Sequence, residues 1–196
     1  KILRHDILNE LTVVMSICDL IQTKDDKLKD KMIKTIYKSV NLIDKMRELE
    51  QAVTSGGQMK SYELQNVILE ILKNYPNIES TISGKCKVLA DEAINSVVDN
   101  LIRNAVVHGK TDKVDFKIDH DENYCTLKVT DYGKGISQEI KEEIFEEGAS
   151  FGDSRGSGLG LFIVKKVIER YGGTIIVEDN TPNGAKFIIS LKRGVD

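Results

Sequence analysis

Gly156-Ser157-Gly158-Leu159-Gly160-Leu161-Phe162 opens an apolar-periodic segment that runs to Tyr171 and stops at Gly172-Gly173. Three glycines at alternate positions leave backbone N–H groups uncovered, and the start of a helix carries partial positive charge. Together they suit a phosphate. The run is not a P-loop, because no Gly-Lys-Ser/Thr follows. It is not a dinucleotide fingerprint either, which needs a strand directly before it and another glycine spacing. Small and polar residues precede it instead, Gly148-Ala149-Ser150-Phe151-Gly152-Asp153-Ser154-Arg155. That composition predicts a mobile lid over a bound nucleotide, with Arg155 in reach of its terminal phosphate.

Working outward, Asp91 reads as the N-cap of a long helix reaching about His108. Asn100 and Asn104 lie one turn apart on it, so their amides share a face. An amide oxygen is a plausible Mg2+ ligand, since that ion takes one or two protein oxygens beside phosphates and water. Val114 to Asp119 and Tyr124 to Thr130 alternate as antiparallel strands. Asp131-Tyr132-Gly133-Lys134-Gly135-Ile136 follows the second of them. A carboxylate there can accept a hydrogen bond from an exocyclic amine, and the glycines let backbone pass close to a flat ligand. Ile144-Phe145-Glu146-Glu147-Gly148 reads as a helix end with a buried Phe. Val67 to Tyr75 reads as a helix ended by Pro76. Ile78 to Ile82 and Lys87 to Ala90 read as short strands, and Thr174 to Glu178 with Ala185 to Leu191 as a closing hairpin. Helices grouped on one side of these strands predict a two-layer α/β sandwich.

Thr54-Ser55-Gly56-Gly57-Gln58 reads as a linker. Before it, two helical stripes recur at spacings of three and four: Leu8, Leu11, Met15, Cys18 and Ile21, then Ile33, Ile36, Val40, Ile43, Met46, Leu49 and Val53. Thr23 to Lys27 is the turn between them. Two helices cannot cover both stripes, so the expectation is a helical hairpin that pairs with a second copy in a dimeric four-helix bundle. The expected domains are residues 1–56 and 57–196.

The whole chain has 196 residues, 30% of them charged, and a net charge of -3. No basic excess points to nucleic acid. No apolar run reaches the ~18 residues that span a bilayer, and the first residues do not read as a signal peptide. The chain lacks an initiator Met, so a fragment is expected, cytoplasmic and tethered to a membrane only through segments outside it. Cys18, Cys86 and Cys125 show neither metal-ligand spacing nor a disulfide framework, so three reduced, mostly buried thiols are expected.

In their order and spacing, four of these segments resemble the N, G1, F and G2 boxes of the GHKL ATP-binding fold. Histidine kinases, gyrase-type topoisomerases, Hsp90 chaperones and MutL share it, and the resemblance covers residues 60 to 192. It implies that Asn104 binds Mg2+ and that Asn100 supports phosphate or metal contacts. It implies that Asp131 reads the adenine amine of ATP, that Gly133, Gly135 and Ile136 shape the base pocket, and that His108 lies beside the base. Gly156, Ser157, Gly158, Leu159, Gly160 and Leu161 then form the hinge and phosphate wall. Hydrolases of the fold place a Glu four residues before the metal-binding Asn. Here that residue is Asn100, and a neutral amide cannot serve as a general base for water.

Arg4-His5-Asp6-Ile7-Leu8-Asn9-Glu10-Leu11 resembles the H-box of sensor histidine kinases. An imidazole nitrogen is a good nucleophile near neutral pH. Asp6 can orient the ring, and Asn9, one turn on, can position a water for an opposing phosphatase activity. The resemblance implies autophosphorylation of His5 and transfer to an aspartate of a response-regulator receiver domain. The usual helix-bending Pro of the box is absent. Two rivals remain: a GHKL ATPase or clamp, and a nucleotide-dependent interaction module that phosphorylates nothing.

Overall fold

The structure, a computed structural model, describes residues 11–14, 27, 29–37, 39–40, 43, 57–149 and 158–194. The chain divides into two compact units, Lys1–Arg47 and Glu48–Asp196.

In the first unit every described residue is helical. Ile36 is buried, while Leu11, Ile33, Val40 and Ile43 of the expected stripes are half-covered. The four-helix bundle is not present: the structure holds one chain, and such a bundle needs two. Residues 23–26 of the expected turn and most of the first helix lie outside the described residues, while Lys27, expected in the turn, is helical.

The second unit is built on a five-stranded sheet. Its strands are β2 (Glu79–Ser83), β4 (Lys113–His120), β5 (Tyr124–Asp131), β6 (Thr174–Asp179) and β7 (Ala185–Lys192), in the order β2-β4-β5-β7-β6. β2 runs parallel to β4, and the other pairings are antiparallel. A short ribbon, β1 (Lys60–Glu63) with β3 (Lys87–Ala90), stands apart. Three helices, α1 (Leu64–Leu72), α2 (Ala93–Asn104) and α3 (Gly160–Arg170), supply the second layer. The alternation predicted for the strands is realised. Val114, Phe116 and Ile118 of β4, Cys125, Leu127 and Val129 of β5, and Phe187, Ile189 and Leu191 of β7 are buried. They join Ile94, Val97, Val98, Leu101 and Ile102 of α2 and Ile163, Val164, Val167 and Ile168 of α3 in one core. Burying each such side chain is worth about 1.5–3 kcal/mol, which is what holds helices to sheet.

α2 does not simply stop at Asn104. It widens into a π-helical turn, Ala105–Gly109, and ends where Lys110 adopts a left-handed conformation at φ 58°. The N-cap of α2 is Glu92, one residue past the predicted Asp91, whose carboxylate has a wider role. Its Oδ1 accepts from the Ala93 N–H at 3.0 Å, but the same carboxylate also receives both arms of Arg170, at 2.9 and 2.8 Å, and the Tyr171 hydroxyl. Its Oδ2 accepts the N–H of Gly57 at 2.8 Å. Burial works against the charge of Asp91. The Tyr171 hydroxyl, the Arg170 guanidinium and the Ala93 N–H outweigh it and hold the carboxyl below its ordinary range. Asp91→Ala strips a half-buried guanidinium of its partner and leaves the Tyr171 hydroxyl without its acceptor, and is expected to cost about 3 kcal/mol. A fall in melting temperature of roughly 6–10 °C checks this. Because the folded pKa is depressed, the contribution of Asp91 is present above the unfolded carboxylate pKa of about 4. It fades as pH falls through the folded value, so wild type and variant should converge in acid.

One expectation is corrected here. Cys86 and Cys125, both buried, are paired as a disulfide with Cα atoms 6.1 Å apart. They are 39 residues apart in sequence, and the packing of the ribbon on the sheet brings them together: Cys86 leads into β3 of the ribbon and Cys125 lies at the start of β5 in the sheet. Cys18 lies outside the described residues.

Candidate nucleotide-binding site

Period two along β5 aims Cys125, Leu127 and Val129 inward, and Asp131 takes the next inward place. A carboxylate thus ends an apolar row, with the residue only 6% exposed. Its Oδ1 accepts the N–H groups of Gly133 at 2.9 Å and Ala185 at 3.2 Å. Its Oδ2 has no hydrogen bond among the described residues and is available to a donor. Burial pushes the carboxyl above its ordinary pKa, against the pull of the two N–H groups. The carboxylate is therefore oriented and desolvated, with one oxygen left to accept a further donor.

The glycines of the segment are required by contact. A Cβ on Gly133 would lie 2.3 Å from the carbonyl oxygen of Gly109, so the Asp131 turn and the end of the π-helical turn meet backbone to backbone. Lys134 N–H donates to that same carbonyl at 3.1 Å. The sequence reading did not single out Gly109, and it placed Gly184 only in the turn of the closing hairpin. The Asn183-Gly184 turn is nonetheless what brings Ala185 to Asp131, and the side chain of Asn180 fixes the Asp131 carbonyl at 3.0 Å. Gly135 and Ile136 follow in the same turn, with Ile136 packed on the core.

On α2, the Asn104 side-chain nitrogen is buried and has no hydrogen-bond partner. The oxygen and nitrogen of an amide are distinguished only by their partners, so this group has unused capacity for a polar ligand. Asn100 differs. It is buried, its Nδ2 donates to the carbonyl of Ser96 at 2.9 Å and the Ser96 hydroxyl at 3.2 Å, and its Oδ1 accepts from Arg103 at 2.9 Å. Its amide is committed at both ends within the protein. His108 lies in the π-helical turn, half-buried. Burial first, then the charges of Lys134 and Arg103, hold its pKa below the usual histidine value, so the ring is neutral at pH 7.

α3 starts without a side-chain cap, with Leu159 buried and Leu161 packed against the core. Its first-turn N–H groups carry the positive end of the helix. Gly158 has φ +67°, and a Cβ there would come 2.4 Å from the carbonyl carbon of Gly148. The chain therefore enters α3 over Gly148 along a path that only glycine allows. Phe145, in a short 3-10 turn, packs edge-on to Phe187 with ring centres 6.4 Å apart. Arg155, Gly156 and Ser157, with His5, Asp6 and Asn9, lie outside the described residues.

Residues 90–195 match the family described as "Histidine kinase-, DNA gyrase B-, and HSP90-like ATPase". The chain is 27% identical to the sensor histidine kinase YcbM of Bacillus subtilis (strain 168), over 96% of this chain and 69% of the relative. It is 26% identical to the sensor protein ChvG of Agrobacterium fabrum, over 95% of this chain but only 37% of that protein. Among solved structures, the mycobacterial sensor histidine kinase MprB aligns with a TM-score of 0.61 at 26% identity, over 69% of this chain and 97% of that one. The histidine kinase ThkA, solved in complex with the response regulator protein TrrA, aligns with a TM-score of 0.65 at 23% identity, over 97% of this chain and 58% of that one.

Proposed function

The chain belongs to the histidine kinase-, DNA gyrase B- and HSP90-like ATPase family, and from that premise we propose that it is the core of a sensor histidine kinase that phosphorylates its own His5 from ATP. The observation that carries this reading is Asn100, where water-splitting members of the fold would carry a base. Its amide is neutral and already bonded to Ser96 and Arg103, so it has nothing with which to activate water. A nucleotide bound here keeps its γ-phosphoryl for a protein nucleophile.

In this reading Oδ2 of Asp131 accepts the adenine amine. Gly133, Gly135 and Ile136 form the floor under the base, with neutral His108 at its edge. The residues from Gly156 to Leu161 wrap the phosphates, and Arg155 reaches the terminal one. The donor set suits Mg2+: the partnerless amide of Asn104 is an oxygen-type ligand, and among the described residues no cluster of three His, Cys, Asp or Glu competes for a metal. Asn104 would hold Mg2+, which when bound would neutralise phosphate charge.

An imidazole nitrogen of His5 forms the new N–P bond while the bond from the γ-phosphorus to its bridging oxygen breaks. ADP leaves, and Asp6 holds the proton on the other ring nitrogen. The domains are residues 1–56, phosphotransfer and dimerisation, and residues 57–196, catalytic. A receiver domain of a response regulator takes the phosphoryl group onto an aspartate, and Asn9 positions water for the reverse, phosphatase, reaction. The apolar stripe of Ile33, Val40 and Ile43, only half-covered in one chain, supports a homodimer through residues 1–54. Sedimentation at twice the chain mass is the expected result, and a monomer at micromolar concentration would remove this part. No helix among the described residues is long and apolar enough to cross a membrane.

Incubation with γ-labelled ATP tests the whole reading. Protein-bound label that survives base and is lost in acid is expected. Sustained phosphate release with no labelled protein would favour an ATPase or clamp. Nucleotide binding with neither outcome would favour an interaction module.

A further inference from the structure

We propose that Arg103, locked in place by Asn100, is a phosphate-binding residue that clamps the terminal phosphates of ATP. The inference rests on the ATP-binding reading above and assigns within it a residue that the N-box pattern does not.

Arg103 lies on α2 between the two asparagines. Its Nη2 donates to Asn100 Oδ1 at 2.9 Å. Asn100 is itself pinned by Ser96, so the guanidinium is attached to a rigid, buried amide. The pair lies against the first residue of α3. A Cβ on Gly160 would come 2.9 Å from Asn100 Oδ1 and 3.5 Å from Arg103 Nη2. A fixed cation is thus packed beside the positive end of a helix, an arrangement that repels itself unless an anion lies close by. Among the described residues Arg103 forms no ion pair: the carboxylate one turn earlier on α2, Asp99, accepts from the Tyr75 hydroxyl at 2.8 Å, and its charge and that of Arg103 both act on that phenol. Arg170 shows the contrast, since that guanidinium is held on both arms by Asp91.

A guanidinium has five N–H donors in a planar fork that matches two phosphate oxygens, and Asn100 engages only part of it. The same cation, with Lys134, acts on His108 and depresses its pKa, so the positive field extends along the site. The anion that resolves this field is the polyphosphate delivered at the start of α3. Asn100 then works as a positioning residue, holding Arg103 rather than touching metal or phosphate.

The test compares wild type, Arg103→Ala and Arg103→Gln in the full chain. Glutamine can still donate to Asn100 Oδ1 but carries no charge. Affinities for ATP, ADP and adenosine are measured, with the rate of label incorporation from ATP. A charge-assisted fork on phosphate is expected to be worth on the order of 100-fold. Both variants should lose about that factor in ATP affinity or in labelling rate, lose less for ADP, and bind adenosine like wild type. Arg103→Gln with wild-type ATP affinity and labelling overturns the inference, even if Arg103→Ala unfolds. Equal losses for ATP and adenosine in Arg103→Gln also overturn it, because they mark a structural role. A wild-type chain that does not bind ATP at all would instead remove the reading beneath it.

Discussion

Replacing His5 with Ala is expected to reduce acid-labile label from ATP to background while leaving nucleotide affinity within about twofold. The two effects separate because the residues concerned belong to different compact units, His5 to Lys1–Arg47 and the nucleotide site to Glu48–Asp196. Removing a covalent nucleophile removes the reaction rather than slowing it, since positioning and charge neutralisation have no other acceptor to act on. The measurement is filter-bound radioactivity after base and after acid, alongside titration with a fluorescent ATP analogue. Undiminished acid-labile phosphate in the variant would move the acceptor elsewhere. Lost nucleotide affinity would mean that the substitution had damaged more than the imidazole.

The second large effect is expected at Asp131. In Asp131→Asn the side-chain oxygen can keep the Gly133 and Ala185 N–H groups, but an amide NH2 takes the place of Oδ2. A donor then faces the adenine amine, also a donor. ATP affinity should fall on the order of 100-fold or more, the cost of an unmade charge-assisted bond plus an unpaired buried group. The same NH2 suits the carbonyl that guanine carries at that position, so the preference for ATP over GTP should shrink. Stability should move the other way. Burial raises the folded pKa of Asp131, so its favourable protonation is present below the unfolded pKa of about 4 and is lost as pH rises through the folded value. At neutral pH the ionised, buried carboxylate is a net cost that asparagine removes. The nucleotide-free variant is therefore expected to melt at or above the wild-type temperature. For the same reason, wild-type ATP affinity should begin to fall on acidification at a pH above the ordinary carboxylate range. A variant that binds ATP normally, or one that melts well below wild type, contradicts this account.

Asp131 also shows what could be read from the chain alone. Alternating Cys125, Leu127 and Val129 announce an inward face, and the next inward residue is charged, which is costly unless something uses the charge. The helices, the strand alternation and the glycine-led start of α3 depend on local periodicity and were legible for that reason. β1 was missed because Lys60–Glu63 is four residues long, mostly polar, and stabilised by pairing with β3, which no local pattern encodes. The parallel pairing of β2 with β4 and the Cys86–Cys125 contact were hidden for the same reason. Asn100 shows where spacing stops being informative. Its spacing from Asn104 gave the right face of the helix, but hydrogen-bond capacity is finite, and the spacing could not show that Ser96 and Arg103 had already taken it. Asp91 was read as a cap because Ala93 is two residues away, whereas Arg170 and Tyr171 are about eighty away.

The grip of Asp91 on the N–H of Gly57 bears on how ATP and imidazole find one another. It staples the end of the tether to the catalytic unit, so any swivel must sit upstream of Gly57. In the proposed reaction a shorter leash would confine the imidazole to a smaller volume around the phosphate and raise its effective concentration there. Asp91 would thereby influence the proposed encounter without its side chain taking part in it.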